Sequence, residues 1–299
     1  VGAFLARTGH QVSLLGRAWH LDVIAKSGLS ITGIWGEYRM KAFDLYTTAG
    51  DAAAGGPYDL VIVTVKSYDT ARAAAELGPL LSEKTVVLSL QNGLGNLETI
   101  LSHVPADRLL GGRTIFGVET KPGLATVTVT ADPPIIVGPA VAAVKPKLSP
   151  EQMAYSLSVA KIPTVSVPDV IPAIWAKVVY NCALNAICTL KEIPYGDILN
   201  DPTTRADMEA VVRECYVVGA AAGVALDPPT ADSYLERLIG TLIPVTAAHL
   251  PSMLQDLRRG RRTEIDSLNG AIEQIGVERG VPTPVNARLA AAIRSRHPA

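Results

Sequence analysis

Cysteine is scarce and scattered in this sequence. Its three cysteines, Cys182, Cys188 and Cys215, form no C-x-x-C pair and no ligand cluster. That argues against a disulfide framework or a metal centre, and for free thiols packed as small hydrophobes in a reducing compartment. An excess of charge of one sign is also missing. With 27 basic against 28 acidic residues, neither nucleic acid nor an anionic membrane has an electrostatic reason to bind. No uninterrupted apolar run approaches the roughly 18 residues of a membrane span, and no signal peptide is expected. A cytoplasmic location follows as the expectation. An initiating Met is absent too: the chain opens Val1-Gly2-Ala3-Phe4-Leu5, which reads as the interior of an element.

What is present is a large apolar fraction, 48%, in 299 residues, enough for two domains with sizeable cores. Gly2–Thr8 reads as a short helix stopped near Gly9, and Gln11–Leu15 as a strand followed by Gly16-Arg17. This is the second half of a βαβ unit. Gly2 then takes the place of the last glycine of a G-x-G-x-x-G turn, the one that lets helix and strand pack closely. The first strand and the rest of that turn are expected before Val1: about ten residues, a strand of about 5–6 plus the turn. Arg17 stands where an acid would hold the ribose 2′-hydroxyl of NAD. A guanidinium there suits the 2′-phosphate of NADP, and a solvated surface arginine is the competing explanation.

Ser30–Ile34 and Tyr38–Leu45 alternate as a strand pair around Trp35-Gly36. Asp59–Lys66 and Thr85–Leu90 read as parallel strands covered on both faces. Helices are expected over Tyr68–Leu77, Leu97–His103 and Pro150–Ala160. Further strands are expected at Leu109–Gly117, Ala125–Val129, Ile135–Gly138 and Thr164–Val167, with a turn at Lys121-Pro122-Gly123. Ligands of such sheets sit beyond the carboxyl ends of the strands, where Lys66 and Asn92 stand. Each also has a structural explanation: Lys66 as an exposed strand end, Asn92 as a turn residue before Gly93.

After Pro168 the strand signals stop, which divides the chain into an α/β part, 1–167, and a helical part, 168–299. The helical part opens on IWAKVVYNCALNAICTL, Ile174–Leu190. Lys177, Asn181 and Asn185 recur there at i, i+4 and i+8. At about 100° per residue that places them on one narrow stripe of an otherwise apolar helix. Burying an ammonium and two amides is costly without polar partners. The stripe therefore lines a cleft for a polar small molecule, or else is satisfied by neighbouring backbone. Helices follow over Thr203–Ala222, Thr230–Leu242, Ser252–Arg258, Thr263–Arg279 and Pro284–Arg296. Glu264 and Asp266 are read at the start of the fourth of these, where carboxylates suit the helix dipole. The basic run Arg258–Arg262 reads as a solvated face.

Six collinear motifs now coincide: Gly2 with Gly16-Arg17, VTVKS at 63–67, QNGLGN at 91–96, WAKVVYNCALNA at 175–186, SMLQD at 252–256 and TEID at 263–266. In these the chain resembles the 2-dehydropantoate 2-reductase (ketopantoate reductase) family over essentially its whole length. The resemblance implies an N-terminal Rossmann domain and an all-α C-terminal domain like that of 6-phosphogluconate dehydrogenase. It implies NADPH-dependent reduction of 2-dehydropantoate to (R)-pantoate on the way to pantothenate. It implies Lys177 and Glu264 as catalytic residues, and Asn181, Asn185, Tyr195 and Ser252 on the substrate side. Gly2, Arg17, Lys66, Asn92, Gly117 and Glu264 are implied on the cofactor side.

The chemistry of the residues is in accord, since a lysine ammonium at a keto oxygen stabilises the developing charge and donates the proton. The stripe, placed just after the boundary, is expected to face a cleft between the two parts. Tyr195, in Ile193-Pro194-Tyr195-Gly196-Asp197, departs from the family pattern of an Asn-Gly pair. That keeps open a relative reducing a different 2-keto acid. A catalytically silent nucleotide-binding homologue is the remaining alternative. The apolar helical surface is compatible with a homodimer.

Overall fold

The structure, a computed structural model, describes residues 1–115, 117–120, 125–131 and 134–297. The chain divides into two compact units. Val1–Val65, Asp69–Gln91 and Leu97–Val170 form the first; Lys66–Tyr68, Asn92–Asn96 and Ile171–Ala299 form the second. Two short segments that follow strands of the α/β part thus belong with the helices.

In the first unit, strands β1 (Ser13–Leu15), β2 (Leu29–Gly33), β3 (Tyr38–Met40), β4 (Asp44–Tyr46), β5 (Leu60–Val63), β6 (Val86–Ser89), β7 (Leu109–Arg113), β8 (Gly117–Thr120), β9 (Thr126–Ala131), β10 (Ile135–Pro139) and β11 (Thr164–Ser166) alternate with short helices. A five-stranded sheet runs β11-β10-β7-β6-β5, parallel through β5, β6 and β7 and antiparallel where β10 meets β7. Central β6 is buried along its whole length, as its all-apolar Val86-Val87-Leu88 run requires. Strand β5, expected to be covered on both faces, lies at an edge, and only Val63 is buried.

Strand β1 pairs in parallel with β4, and the remaining sheet runs β3-β2-β9-β8. The stretch expected as one strand over Tyr38–Leu45 is therefore two, because β3 pairs with β2 while β4 pairs with β1 in a different sheet. The strand expected over Leu109–Gly117 likewise ends at Arg113, with Gly117 opening β8. The turn expected at Lys121-Pro122-Gly123 lies outside the described residues. The helix Pro150–Val159 is set by its cap: Ser149 accepts from the Gln152 amide, and the Gln152 side chain accepts from the Ser149 N–H.

The second unit is built around the 21-residue helix Ile171–Lys191. By length and mean hydropathy (1.3) it is long and apolar enough to cross a membrane, but 61% of that window is buried inside the protein. Val178, Val179, Cys182, Ala183, Leu184, Ala186 and Ile187 fill the core against the helices Pro202–Ala221, Ser252–Arg258, Asn269–Arg279 and Pro284–Arg294. Glu214 closes the last of these at its N-terminus, accepting from the Val285 and Asn286 amides at 2.8 and 2.9 Å. Asn286 continues inward, its Oδ1 accepting from Asn269 Nδ2 at 2.9 Å, and Asn269 also donates to the Cys182 carbonyl at 3.2 Å.

Two expected helices break. Ala231–Arg237 passes into a π-helical turn at Leu238–Leu242. The helix expected from Thr263 starts only at Asn269; before it lies a 3-10 turn, Ile265–Ser267, and Leu268 breaks the run at φ −112°, ψ −107°. Glu264 and Asp266 are therefore not first-turn residues of a long helix. Asp266 instead pairs with Arg262 and Arg294, both at 2.7 Å, and Arg258 pairs with Glu192 at 3.0 Å. The two ends of the basic run, Arg258 and Arg262, are thus paired with acids on the surface.

Candidate active site

Lys66 leaves the end of β5 and enters the second unit, where two acids meet it. Its ammonium donates to Asp256 Oδ2 at 2.7 Å and to Glu264 Oε2 at 3.3 Å. The other oxygen of Glu264 accepts the Ser67 backbone N–H at 3.0 Å. Both carboxylates are buried, at 6% and 8% exposure. Burial alone works against the ammonium. Attraction from Glu264 and bonding to Asp256 outweigh it, so the Lys66 pKa lies above the ordinary lysine value.

The loop after β6 brings in the second polar group. Gly93 and Gly95 both adopt positive φ (87° and 86°), and Asn96 closes the loop by donating to the Asn92 carbonyl at 2.8 Å. Asn92 Oδ1 accepts a short hydrogen bond from the Lys177 ammonium. Ser267 joins the two loops: its carbonyl accepts the Leu94 N–H at 2.8 Å, and its hydroxyl bonds the Ser67 hydroxyl at 2.8 Å. Lys66 and Asn92 are thus fixed on one turn, Glu264–Ser267.

The stripe of Lys177, Asn181 and Asn185 is graded. Lys177 and Asn181 are half-buried and Asn185 is buried. Asn185 is held inside the protein at both ends of its amide, donating to Ser252 Oγ at 2.9 Å and accepting from the Met253 N–H at 3.2 Å. It thereby holds the first turn of the helix Ser252–Arg258 and leaves the exposed Ser252 hydroxyl with its own proton to donate. Among the described residues no group bonds the Asn181 amide. It stands between Lys177 and Asn185 with donor and acceptor both available.

Tyr195 lies in the core at 3% exposure, edge-on to Tyr180 at 5.9 Å and beside His249 at 5.1 Å. Burial, then Tyr180, push its phenol well above the usual pKa, so it acts only as a neutral hydroxyl or a ring. Cys182 follows Asn181 on the helix but is fully buried; burial and then its contact with Cys215 raise its pKa, which leaves a protonated, unreactive thiol.

Gly2, Arg17 and Gly117 lie in the first unit. A Cβ on Gly2 would meet Val12 Cγ1 at 3.4 Å and Leu14 Cδ2 at 3.6 Å, so this helix does pack close against β1. Arg17 stands just beyond the carboxyl end of β1 with its guanidinium 65% exposed. Gly117 is the first residue of β8, opposite Ala131 beside a register shift. A dinucleotide fits these features of the first unit: close helix–strand packing and an open guanidinium at the strand end. Asp256, Ser67 and Ser267 are site residues that local sequence pattern alone does not mark. The signal for Asp256 was its place as the last residue of SMLQD, one turn on from Ser252.

A Rossmann-type α/β unit followed by a helical unit with a lysine–asparagine stripe defines the class: a two-domain oxidoreductase. The family model described as ketopantoate reductase PanE/ApbA matches residues 1–141, and the one for its C-terminal part matches residues 169–297. The chain is 34% identical to 2-dehydropantoate 2-reductase of Aquifex aeolicus, over 98% of this chain and 92% of that protein. Among solved structures it is similar to a PanE/ApbA family ketopantoate reductase from Ralstonia eutropha JMP134, with 31% identity, TM-score 0.86 and 99% and 93% coverage. It is also similar to D-mandelate dehydrogenase in a ternary structure with NADH and anilino(oxo)acetate, with 25% identity, TM-score 0.87 and 99% and 93% coverage. The chain belongs to the ketopantoate reductase PanE/ApbA family.

Proposed function

We propose that this protein reduces 2-dehydropantoate to (R)-pantoate with NADPH, in the cytoplasm and in the service of pantothenate synthesis. The observation that carries the reading is Lys177, half-buried and oriented by Asn92, one turn before an unengaged Asn181 amide. When bound, the reduced nicotinamide supplies the hydride. Lys177 hydrogen-bonds the keto oxygen, stabilises the charge that develops there and gives up its proton. Asn92 keeps the ammonium aimed. Asn181 bonds the substrate hydroxyl or carboxylate, and the Ser252 hydroxyl, seated by Asn185, fixes the far end. Glu264 and Asp256 hold Lys66 charged and in place on the cofactor side.

A second reading keeps this chemistry on a different 2-keto acid. It is favoured by the likeness to D-mandelate dehydrogenase, in a ternary structure with NADH and anilino(oxo)acetate. NADPH consumption with a panel of 2-keto acids separates the two by kcat/KM. Lys177→Ala tests the mechanism for either substrate: kcat should fall by roughly 10²–10⁴-fold, with NADPH affinity changed less than threefold. A kcat within a few-fold of wild type would overturn it.

A further inference from the structure

Arg17 is not alone at the end of β1. Asp69, which closes the turn Ser67–Asp69 beyond β5, sets Oδ2 3.6 Å from Arg17 Nη2. Its Oδ1 accepts from Arg72 Nη2 at 3.2 Å, and Arg72 also faces Glu76 at 3.7 Å. Two guanidiniums and two carboxylates therefore balance here. In dinucleotide-binding α/β folds this corner decides between cofactors: a carboxylate accepts the free 2′-hydroxyl of NADH, and an arginine takes the 2′-phosphate of NADPH. This chain carries Arg17 where the acid is expected, yet places an acid against it from the turn after β5.

The Asp69 side chain is only 23% exposed, and no hydrogen bond from it caps the helix it precedes. The backbone does not need it as a cap. Asp69 takes a hydrogen bond from Arg72 and stands as the counter-charge of Arg17, so a phosphate binding these guanidiniums competes with it. A phosphate of nearly two negative charges entering beside an ionised carboxylate is also repelled.

We propose that Asp69 is a specificity-determining residue for the cofactor. It competes with the 2′-phosphate of NADPH for Arg17 and Arg72, and it supplies the acceptor that the 2′-hydroxyl of NADH needs. The protein then uses both dinucleotides and prefers NADPH less than Arg17 alone implies. This inference rests on the dinucleotide-dependent reading above, but not on the identity of the keto acid.

The test is direct titration of the whole protein with NADPH and with NADH, for wild type, Asp69→Asn and Asp69→Glu. Asp69→Asn keeps the side chain's size and removes its charge. It should tighten NADPH about tenfold, about 1.4 kcal/mol, and weaken NADH several-fold. Asp69→Glu keeps the charge and should leave the ratio of the two Kd values near that of wild type. A ratio unmoved within twofold by Asp69→Asn, or moved as far by Asp69→Glu, overturns the proposal. If wild type binds neither dinucleotide, the cofactor reading and this inference fall together. If both bind but no keto acid is turned over, only the proposed reaction falls and the Kd ratios still decide this one.

Discussion

A methyl group at Gly93 should do far more damage than one at Gly95, two residues away in the same loop. Both glycines have left-handed φ, 87° and 86°, so alanine at either meets the same backbone penalty, about 1–2 kcal/mol. The surroundings differ. A Cβ at Gly95 has nothing within 4 Å, whereas one at Gly93 would lie 2.4 Å from Ser267 Oγ and 2.6 Å from both Ser267 Cβ and the Ser267 carbonyl oxygen. No rotamer relieves a clash with a main-chain carbonyl. The turn carrying Ser267 must retreat by about 0.8 Å to restore ordinary contact. That strains the Leu94–Ser267 and Ser67–Ser267 hydrogen bonds, both 2.8 Å, each worth about 1 kcal/mol. Gly93→Ala should therefore cost about 3–4 kcal/mol and Gly95→Ala about 1–2.

Because Gly93 follows Asn92, the partner of Lys177, Gly93→Ala should also lower kcat well beyond the effect of Gly95→Ala. Urea denaturation midpoints and steady-state kinetics on both variants read the difference. Adding Ser267→Gly to Gly93→Ala removes two of the three close contacts and should restore part of the loss, since the carbonyl stays. Equal loss in the two single variants would refute the clash, and with it the idea that the Glu264–Ser267 turn fixes the loop.

Lys66→Met should leave Asp256 and Glu264 facing each other with their counter-charge removed. Breaking a buried pair costs about 3–5 kcal/mol; with the Lys66 side chain 38% exposed, solvent screening reduces the expectation to about 1–3 kcal/mol. Since the folded pKa of Lys66 is raised, its contribution is fully present below the ordinary lysine pKa of about 10.4 and fades only as pH climbs through the folded value. Wild type and Lys66→Met should thus differ as much at pH 9 as at pH 7, and a difference already gone at pH 9 would contradict the charge argument. His297 acts at the other end of the scale. Its Nε2 accepts from the Thr263 N–H at 3.3 Å, which requires the neutral ring, and burial lowers its pKa from 6.5. That stability is present above pH 6.5 and lost as pH falls below it. Melting curves between pH 7.5 and 5 should show a fall that His297→Gln flattens, and parallel curves would exclude the imidazole as its source.

Periodicity made the stripe visible, because the angle of a residue on a helix depends only on spacing. It gave Lys177, Asn181 and Asn185 one direction, but it carries no information on depth. Depth separates them: Lys177 and Asn181 stay half-buried, while Asn185 is drawn into the protein by Ser252 and Met253. Satisfaction by neighbouring groups holds for Asn185, and Lys177 meets Asn92, while no group among the described residues bonds the Asn181 amide.

Strands were legible where both faces are buried, as in β6, and less so where one apolar stretch serves two sheets, as at β3 and β4. Glu264 shows the harder limit. An acid near a helix start fits the dipole rule locally, so nothing in TEID hinted that Leu268 breaks the helix or that the carboxylate faces Lys66, 198 residues earlier. Asp256 is the same case at a separation of 190. A lone acid in an amphipathic helix looks solvated until tertiary structure sets a cation against it. The site is therefore legible in its local half, the stripe and the strand ends. Its long-range half, the acids that charge and seat Lys66, follows from how the chain closes on itself: 66–68 and 92–96 leave the α/β unit to dock on one turn near the C-terminus, so the loop that carries Asn92, the partner of Lys177, and the segment that carries Lys66 are tied to each other through Ser267.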